Sequence, residues 1–240
     1  MDVIAASATP RVPVVDLAGA VVGTFPVHRI YCVGRNYAEH AREMGAAAPA
    51  SKAERGVPTF FMKPADAIAV DGKVPYPAAT SQLHHEVELV VALGRDANGV
   101  VAPEDAEALV FGYGVGLDLT RRDLQAAAKA KGLPWDTAKG FDQSAPLSAL
   151  LPVDEAGDLS SARIVLEVNG EPRQQSSLDH MLWNVADILY ELSLLYALRA
   201  GDLVFMGTPA GVGPLLPGDA FHARIDGLPE LQGSITAPLR

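Results

Sequence analysis

The sequence predicts an α+β protein built on a large mixed sheet. Strand-like runs outnumber helical ones. The helices do not alternate with strands as they do in a doubly wound α/β protein. No internal repeat and no long linker divides the 240 residues.

Taken in order, Val12 to Phe25 reads as two short strands around Ala18-Gly19-Ala20, and Arg29 to Val33 as a third. Gly34-Arg35-Asn36-Tyr37 breaks that strand, and Ala38 to Met44 is a short helix ended by Gly45. Residues 46–57, rich in Ala, Pro, Ser and Gly, predict a mobile surface loop. Thr59 to Met62 is a short buried strand running into Lys63-Pro64. The stretch from His84 to Val91 reads as one strand, with Val87, Leu89 and Val91 on one parity and Glu86 and Glu88 on the other. His84 shares the face of the two acids, whereas His85 points away from them.

Further on, Pro103 to Val110 suits a helix start, with Pro first and acids in the first turn. Tyr113 to Leu119 is a glycine-spaced strand, followed by a helix from Arg121 to Lys131 with Thr120 as cap and Gly132 as stop. Ile164 to Val168 enters a tight turn at Asn169-Gly170. Asn184 to Arg199 is the strongest helix, with Ile188, Leu192, Leu195 and Leu198 on one side and Gly201 at its end. Leu203 to Met206 is a strand feeding the loop 207–213, and further strands close the chain.

Nearly half the residues are apolar and 20% are charged, as in an ordinary globular protein. The net charge of −10 argues against a nucleic-acid partner, which needs a basic surface. The only cysteine, Cys32, excludes an intrachain disulfide and a thiolate metal cluster. A start at Met1-Asp2 without a basic n-region, and the lack of a run of about eighteen apolar residues, predict a cytoplasmic chain with no membrane partner.

Two carboxylates on one strand face, about 7 Å apart at the Cα level, repel each other and call for a cation or a shared proton. On an isolated strand the same pattern is a solvated face. Asp118 is a third candidate acid, although its spacing does not bring it to the other two and by itself it reads as a strand-end or turn residue; three carboxylates together, without thiolates, would make a hard oxygen site suited to Mg²⁺, Mn²⁺ or Ca²⁺. His40 and Glu43 lie three apart in the short helix, so they share a face and could form a general base, or simply a solvated pair. The loop 207–213 has three glycines but lacks the GxxxxGK[ST] pattern, which excludes a phosphate loop. It is suited instead to presenting backbone amides or the Thr208 hydroxyl. Arg35, Lys63, Arg121, Arg122 and Lys139 lie beside these motifs and could hold an anionic substrate.

In this order, several motifs resemble the fumarylacetoacetate hydrolase family in its short single-domain branch. They are Tyr31-Cys32-Val33-Gly34-Arg35-Asn36-Tyr37, Phe61-Met62-Lys63-Pro64, His85-Glu86-Val87-Glu88-Leu89, residues 116–125, Lys131-Gly132-Leu133-Pro134-Trp135, Ala138-Lys139, residues 168–171 and residues 207–213. The resemblance implies a mixed β-sandwich or roll with a few peripheral helices. An N-terminal tail with short strands would cover 1–25 and one catalytic domain 26–240, in a homodimer. It implies that Glu86, Glu88 and Asp118 hold Mg²⁺ or Mn²⁺ (Ca²⁺ being an ion that crystals of such a site would accept). It makes His40 and Glu43 a water-activating dyad on a lid helix and turns Lys139 and Gln125 toward the substrate. Arg35 and Thr208 then contact the substrate's carboxylate end. The implied reaction is cleavage of the C3–C4 bond of a 2,4-diketo acid, with fumarylpyruvate the favoured substrate. The alternatives are a broad acylpyruvate hydrolase with oxaloacetate decarboxylase activity, or a lyase or isomerase using the same metal–enolate site.

Overall fold

The computed structural model describes residues 8–45, 47, 49 and 52–238. Its centre is a six-stranded mixed sheet in the order Leu151–Pro152, Val110–Leu117, Val87–Leu93, Asp202–Phe205, Arg29–Gly34, Thr59–Lys63. Asp202–Phe205 runs parallel to Arg29–Gly34 and antiparallel to Val87–Leu93. A five-stranded sheet covers one face, in the order Glu171–Ser177, Arg163–Val168, Ala220–Ile225, Leu231–Thr236, Lys73–Pro75. The α+β reading therefore holds, with few and short helices.

The strand Val87–Leu93 explains how the acids become buried. Its odd residues Val87, Leu89, Val91 and Leu93 enter the main core, between the two large sheets and the helix Val185–Leu195. Its even residues Val90 and Ala92 enter a second core with Val12, Phe25, Ile30, Cys32 and Phe205. Both faces are dry, so Glu88, on the even face, is 1% exposed and the solvated-face alternative fails. Gly116 permits this second core: a Cβ there would lie 2.6 Å from the Phe205 ring.

The single strand expected from His84 to Val91 is two strands, Leu83–His85 and Val87–Leu93, interrupted at Glu86. The first joins a small sheet with Thr120–Arg121 and Gly213–Pro214, and the second joins the central sheet. The neighbouring chain changes sheet at the same level, between Val110–Leu117 and Thr120–Arg121, and the Asp118 amide donates to the Glu86 carbonyl at 2.8 Å. Glu86 and Asp118 thus sit side by side where two strands cross between sheets. Period-two patterning cannot show such a crossing, because hydrophobicity alternates on both sides of it.

Other boundaries also shift. The 103–110 segment is a 3₁₀ helix, Pro103–Leu109. The next helix is Arg122–Ala130 without a Thr120 cap, since Thr120 is in a strand and its hydroxyl donates to the Asp118 carbonyl. Asp123 instead accepts from the Thr80 hydroxyl and the Ser81 amide, tying the helix start to the preceding loop. The long helix is Val185–Leu195, opened by an Asn184–Asp187 capping box. It stops at extended Tyr196, whose ring packs against Tyr31, centroids 5.0 Å apart. In the segment expected to be a mobile loop, residues 46, 48, 50 and 51 lie outside the described residues. Its far end is pinned, with Arg55 Nη1 donating to the Leu182 carbonyl at 2.6 Å and to Asp187 at 2.7 Å. No helix among the described residues is long and apolar enough to cross a membrane.

Candidate active site

Glu86, Glu88 and Asp118 each offer an oxygen such that all three lie within 4.8 Å of one another. All three side chains are buried, and each is held differently. Asp118 Oδ2 accepts from Lys139 Nζ at 2.5 Å, and Oδ1 lies 2.8 Å from Lys63 Nζ. Glu86 accepts from Lys139 Nζ at 2.7 Å and from Arg122. Among the described residues Glu88 accepts only the Gly207 amide, at 2.7 Å. Three buried acids thus face three cations, yet every cation sits on Glu86 or Asp118.

That asymmetry separates the two glutamates. Burial alone would raise the Glu86 carboxyl, but Lys139 and then Arg122 outweigh it and hold Glu86 well below the usual carboxylate range. Burial, reinforced by Asp118 and Glu86, pushes Glu88 well above it. Lys139 is raised despite its burial by Asp118 and Glu86 and stays charged. The three converging oxygens are hard donors suited to a six-coordinate divalent ion. Two observations favour that fit. Among the described residues no group donates a hydrogen bond to buried Asp118 Oδ1, whose contact with Lys63 Nζ at 2.8 Å is an ion pair. Glu88 lacks a counter-charge of its own.

Across the pocket, the helix Ala38–Glu43 brings His40 Nδ1 to 3.1 Å from Glu43 Oε2. His40 is 7% exposed, so this is not a solvated surface pair. With Nδ1 occupied, Nε2 is the nitrogen left for the cavity that His40 lines. Glu43 Oε1 accepts from the Gly211 amide at 3.0 Å. The loop after Leu203–Met206 therefore does present backbone amides, one to Glu88 and one to Glu43. Gly207 is suited to its place: its φ is +90°, and a Cβ there would lie 2.7 Å from Asn36 Cβ.

The remaining residues expected at the site also line this cavity: Arg35, Gln125, Lys139 and Thr208. Gln125 Oε1 accepts from Arg122 Nη1 at 2.6 Å, and Thr208 Oγ1 accepts from Gln174 Nε2 at 2.8 Å. Arg35 is exposed at the rim, with φ +62°. His85 does turn from the acids, to Gln174, while His84 lies 3.5 Å from Arg122 Nε and is linked to Glu86 through it. Burial and the Arg122 charge lower the His84 pKa to about 4, so it is neutral near pH 7.

Sequence reasoning missed four contributors. Lys63 and Arg122 stood among the nearby cations, but nothing in their spacing marks them as direct partners of Asp118 and Glu86. Gln174 lies in a strand whose neighbours are mostly exposed, yet it is buried and binds His85, the Val87 amide, Thr208 and the Pro209 carbonyl. Asn36 clamps the backbone of Trp183 and Met206. Its position in a strand-breaking tetrapeptide was the only signal available.

The family description for the fumarylacetoacetate hydrolase C-terminal domain matches residues 29–236. The chain belongs to the fumarylacetoacetate hydrolase family. It is an enzyme of that family, as the expected resemblance implied. A fumarylpyruvate hydrolase from Pseudomonas aeruginosa, solved with Mn²⁺ and pyruvate, superposes with a TM-score of 0.91 and is 44% identical, covering 99% of this chain and 100% of that one. The mitochondrial oxaloacetate tautomerase FAHD1 of Bos taurus is 41% identical over 212 residues, 87% of this chain and 92% of its own. A mitochondrial oxaloacetate decarboxylase of Dictyostelium discoideum is 38% identical over 202 residues, 83% of this chain and 89% of its own.

Proposed function

We propose that this enzyme hydrolyses the C3–C4 bond of a 2,4-diketo acid, with fumarylpyruvate as the substrate and fumarate and pyruvate as products. The observation that carries this reading is the placement of buried His40, paired with Glu43, opposite a buried carboxylate triad across one cavity. In this reading Glu86, Glu88 and Asp118 hold Mg²⁺ or Mn²⁺. The bound ion supplies Lewis-acid stabilisation of negative charge on the keto-acid oxygens.

The protein groups do the rest. Arg35 and Thr208 hold the substrate's carboxylate end, and Gln125 orients the chain. Glu43 accepts from His40 Nδ1, so Nε2 is the basic nitrogen and takes a proton from water as its oxygen adds to C4. Collapse of the adduct breaks C3–C4, leaving the carboxylic acid and the pyruvate enolate. Lys139 keeps its charge and offsets that of the enolate oxygen. The proton held by His40 passes to C3, so water is consumed once and the base is restored. Full-length coverage of the Pseudomonas aeruginosa hydrolase supports this reading over the alternatives.

A second reading, keto–enol isomerisation or decarboxylation of oxaloacetate, is favoured by the names of the cattle and Dictyostelium relatives. Both reactions need an enolate-stabilising site but no hydrolytic water. Loss of the diketo acid's ultraviolet absorbance, with and without chelator and in ¹⁸O-labelled water, separates them. Hydrolysis puts one labelled oxygen into the acid product. Oxaloacetate turnover exceeding that of every acylpyruvate sinks the hydrolase reading. The proposal includes a cytoplasmic homodimer, for which exposed Leu194 and Leu195 on one helix end are suitable contacts. Light scattering checks the assembly.

A further inference from the structure

The helix Arg122–Ala130 turns one face to the site. Arg122 bonds Glu86, Gln125 bonds Arg122, and Lys129 follows seven residues after Arg122. At 1.5 Å per residue this places Lys129 roughly 10 Å along the axis from Arg122, away from the carboxylate triad. Lys129 lines the same cavity as His40 and Glu86. Its Nζ lies 5.1 Å from the centroid of the Trp135 ring, and Trp135 packs near Phe61, another lining residue.

The charge at this end is uncompensated. Among the described residues no carboxylate pairs with Lys129, although the chain has 29 acidic residues. Burial, then the charges of Arg122 and Arg35, lower the Lys129 pKa, as expected of an ammonium facing other cations. A half-buried cation with no carboxylate paired to it, beside two aromatic walls, is a receptor for an anion at the end of an unsaturated chain.

Resting on the diketo-acid reading above, we propose that Lys129 reads the far carboxylate of the acyl group, selecting acylpyruvates that end in a carboxylate over those that end in a methyl group. In an extended diketo acid with a four-carbon diacid arm, C2 and the far carboxyl carbon are roughly 6 Å apart by ordinary bond lengths. With the keto-acid end at the triad, the far carboxylate lies toward Lys129, within reach of its four-carbon stem.

The test is steady-state kinetics of the metal-loaded wild type, Lys129→Met and Lys129→Arg on fumarylpyruvate and acetylpyruvate. Lys129→Met is expected to lower kcat/KM for fumarylpyruvate by about 10- to 100-fold, the range for a hydrogen bond to a charged group. Acetylpyruvate turnover stays within about two-fold, and Lys129→Arg restores most of the fumarylpyruvate rate. Equal losses on both substrates, or no loss on either, overturn the proposal. If the wild type hydrolyses neither compound, the hydrolase reading itself has failed, and fumarate binding to the Mn²⁺-loaded protein then decides Lys129. A thermal shift with fumarate that Lys129→Met removes supports the assignment, and an equal shift in both proteins overturns it.

Discussion

The two walls of the cavity are built in opposite ways. On one side Glu86, Glu88, Asp118, Lys63 and Lys139 are all at most 4% exposed, fixed where strands cross between sheets. On the other, His40 and Glu43 ride on a six-residue helix, and the Glu43 side chain is 33% exposed. The buried wall has little freedom to rearrange, which suits groups that must converge on one cation at fixed distances. The helical wall is partly exposed at Glu43, which accepts from the Gly211 amide, and in the proposed mechanism that suits a base that must meet substrate and then release product. In the proposed mechanism, binding the ion and moving the proton thus fall to different parts of the fold.

The strongest test of this division compares Glu86→Ala with His40→Ala. Glu86→Ala is expected to lose metal affinity by at least ~100-fold and all measurable turnover, and to leave Lys139 and Arg122 short of a partner at a cost of about 3–5 kcal/mol. His40→Ala should lower kcat by about 10²- to 10⁴-fold while Mn²⁺ affinity, read by calorimetry, stays within about two-fold. Comparable loss of metal binding in both variants would erase the distinction between the walls.

A smaller effect is expected from Gln174→Ala, which acts on the joint between them. Removing this side chain leaves His85 Nδ1, the Val87 amide and Thr208 without their partner, at about 1–3 kcal/mol. Chemical denaturation measures that loss, and unchanged stability argues against the clamp.

The smallest effect is a pH dependence of the metal-free protein. Because the folded state holds Glu88 above its ordinary value of 4.5, folding takes up a proton there. Its contribution is therefore fully present below the unfolded pKa and is lost as pH rises through the folded value. Glu88→Gln should flatten this decline, seen as a smaller fall in melting temperature above about pH 5 than in the wild type. Added Mn²⁺ should offset the decline in the wild type only. A parallel fall in both proteins rules out Glu88 as its source.

Much of this site was legible from residue types. The Glu86–Glu88 and His40–Glu43 spacings placed each pair on one face, and only the motif order, through the family it resembles, joined Asp118 to the acids and made the pair a candidate base. The hairpin at Asn169-Gly170 and the strand at Leu203 were equally visible, because turn chemistry and periodicity are local. What the residues could not show was contact across the chain. Lys63 reaches Asp118 from 55 positions away and Gln174 reaches His85 from 89 positions away, and no local pattern encodes either pairing.

The sequence by itself determined that Glu86 and Glu88 lie two apart and that apolar residues of one parity follow them. Only the tertiary structure decided that the second parity is buried too, under Phe25, Ile30 and Phe205, and that the strand breaks at Glu86 beside Asp118. The physical reason is that a carboxylate on a solvated face is stabilised by water, whereas in a dry interior it needs the charges that the fold brings to it. Lys139, Lys63 and Arg122 meet that need for two of the acids, and Glu88 is left without a cation of its own.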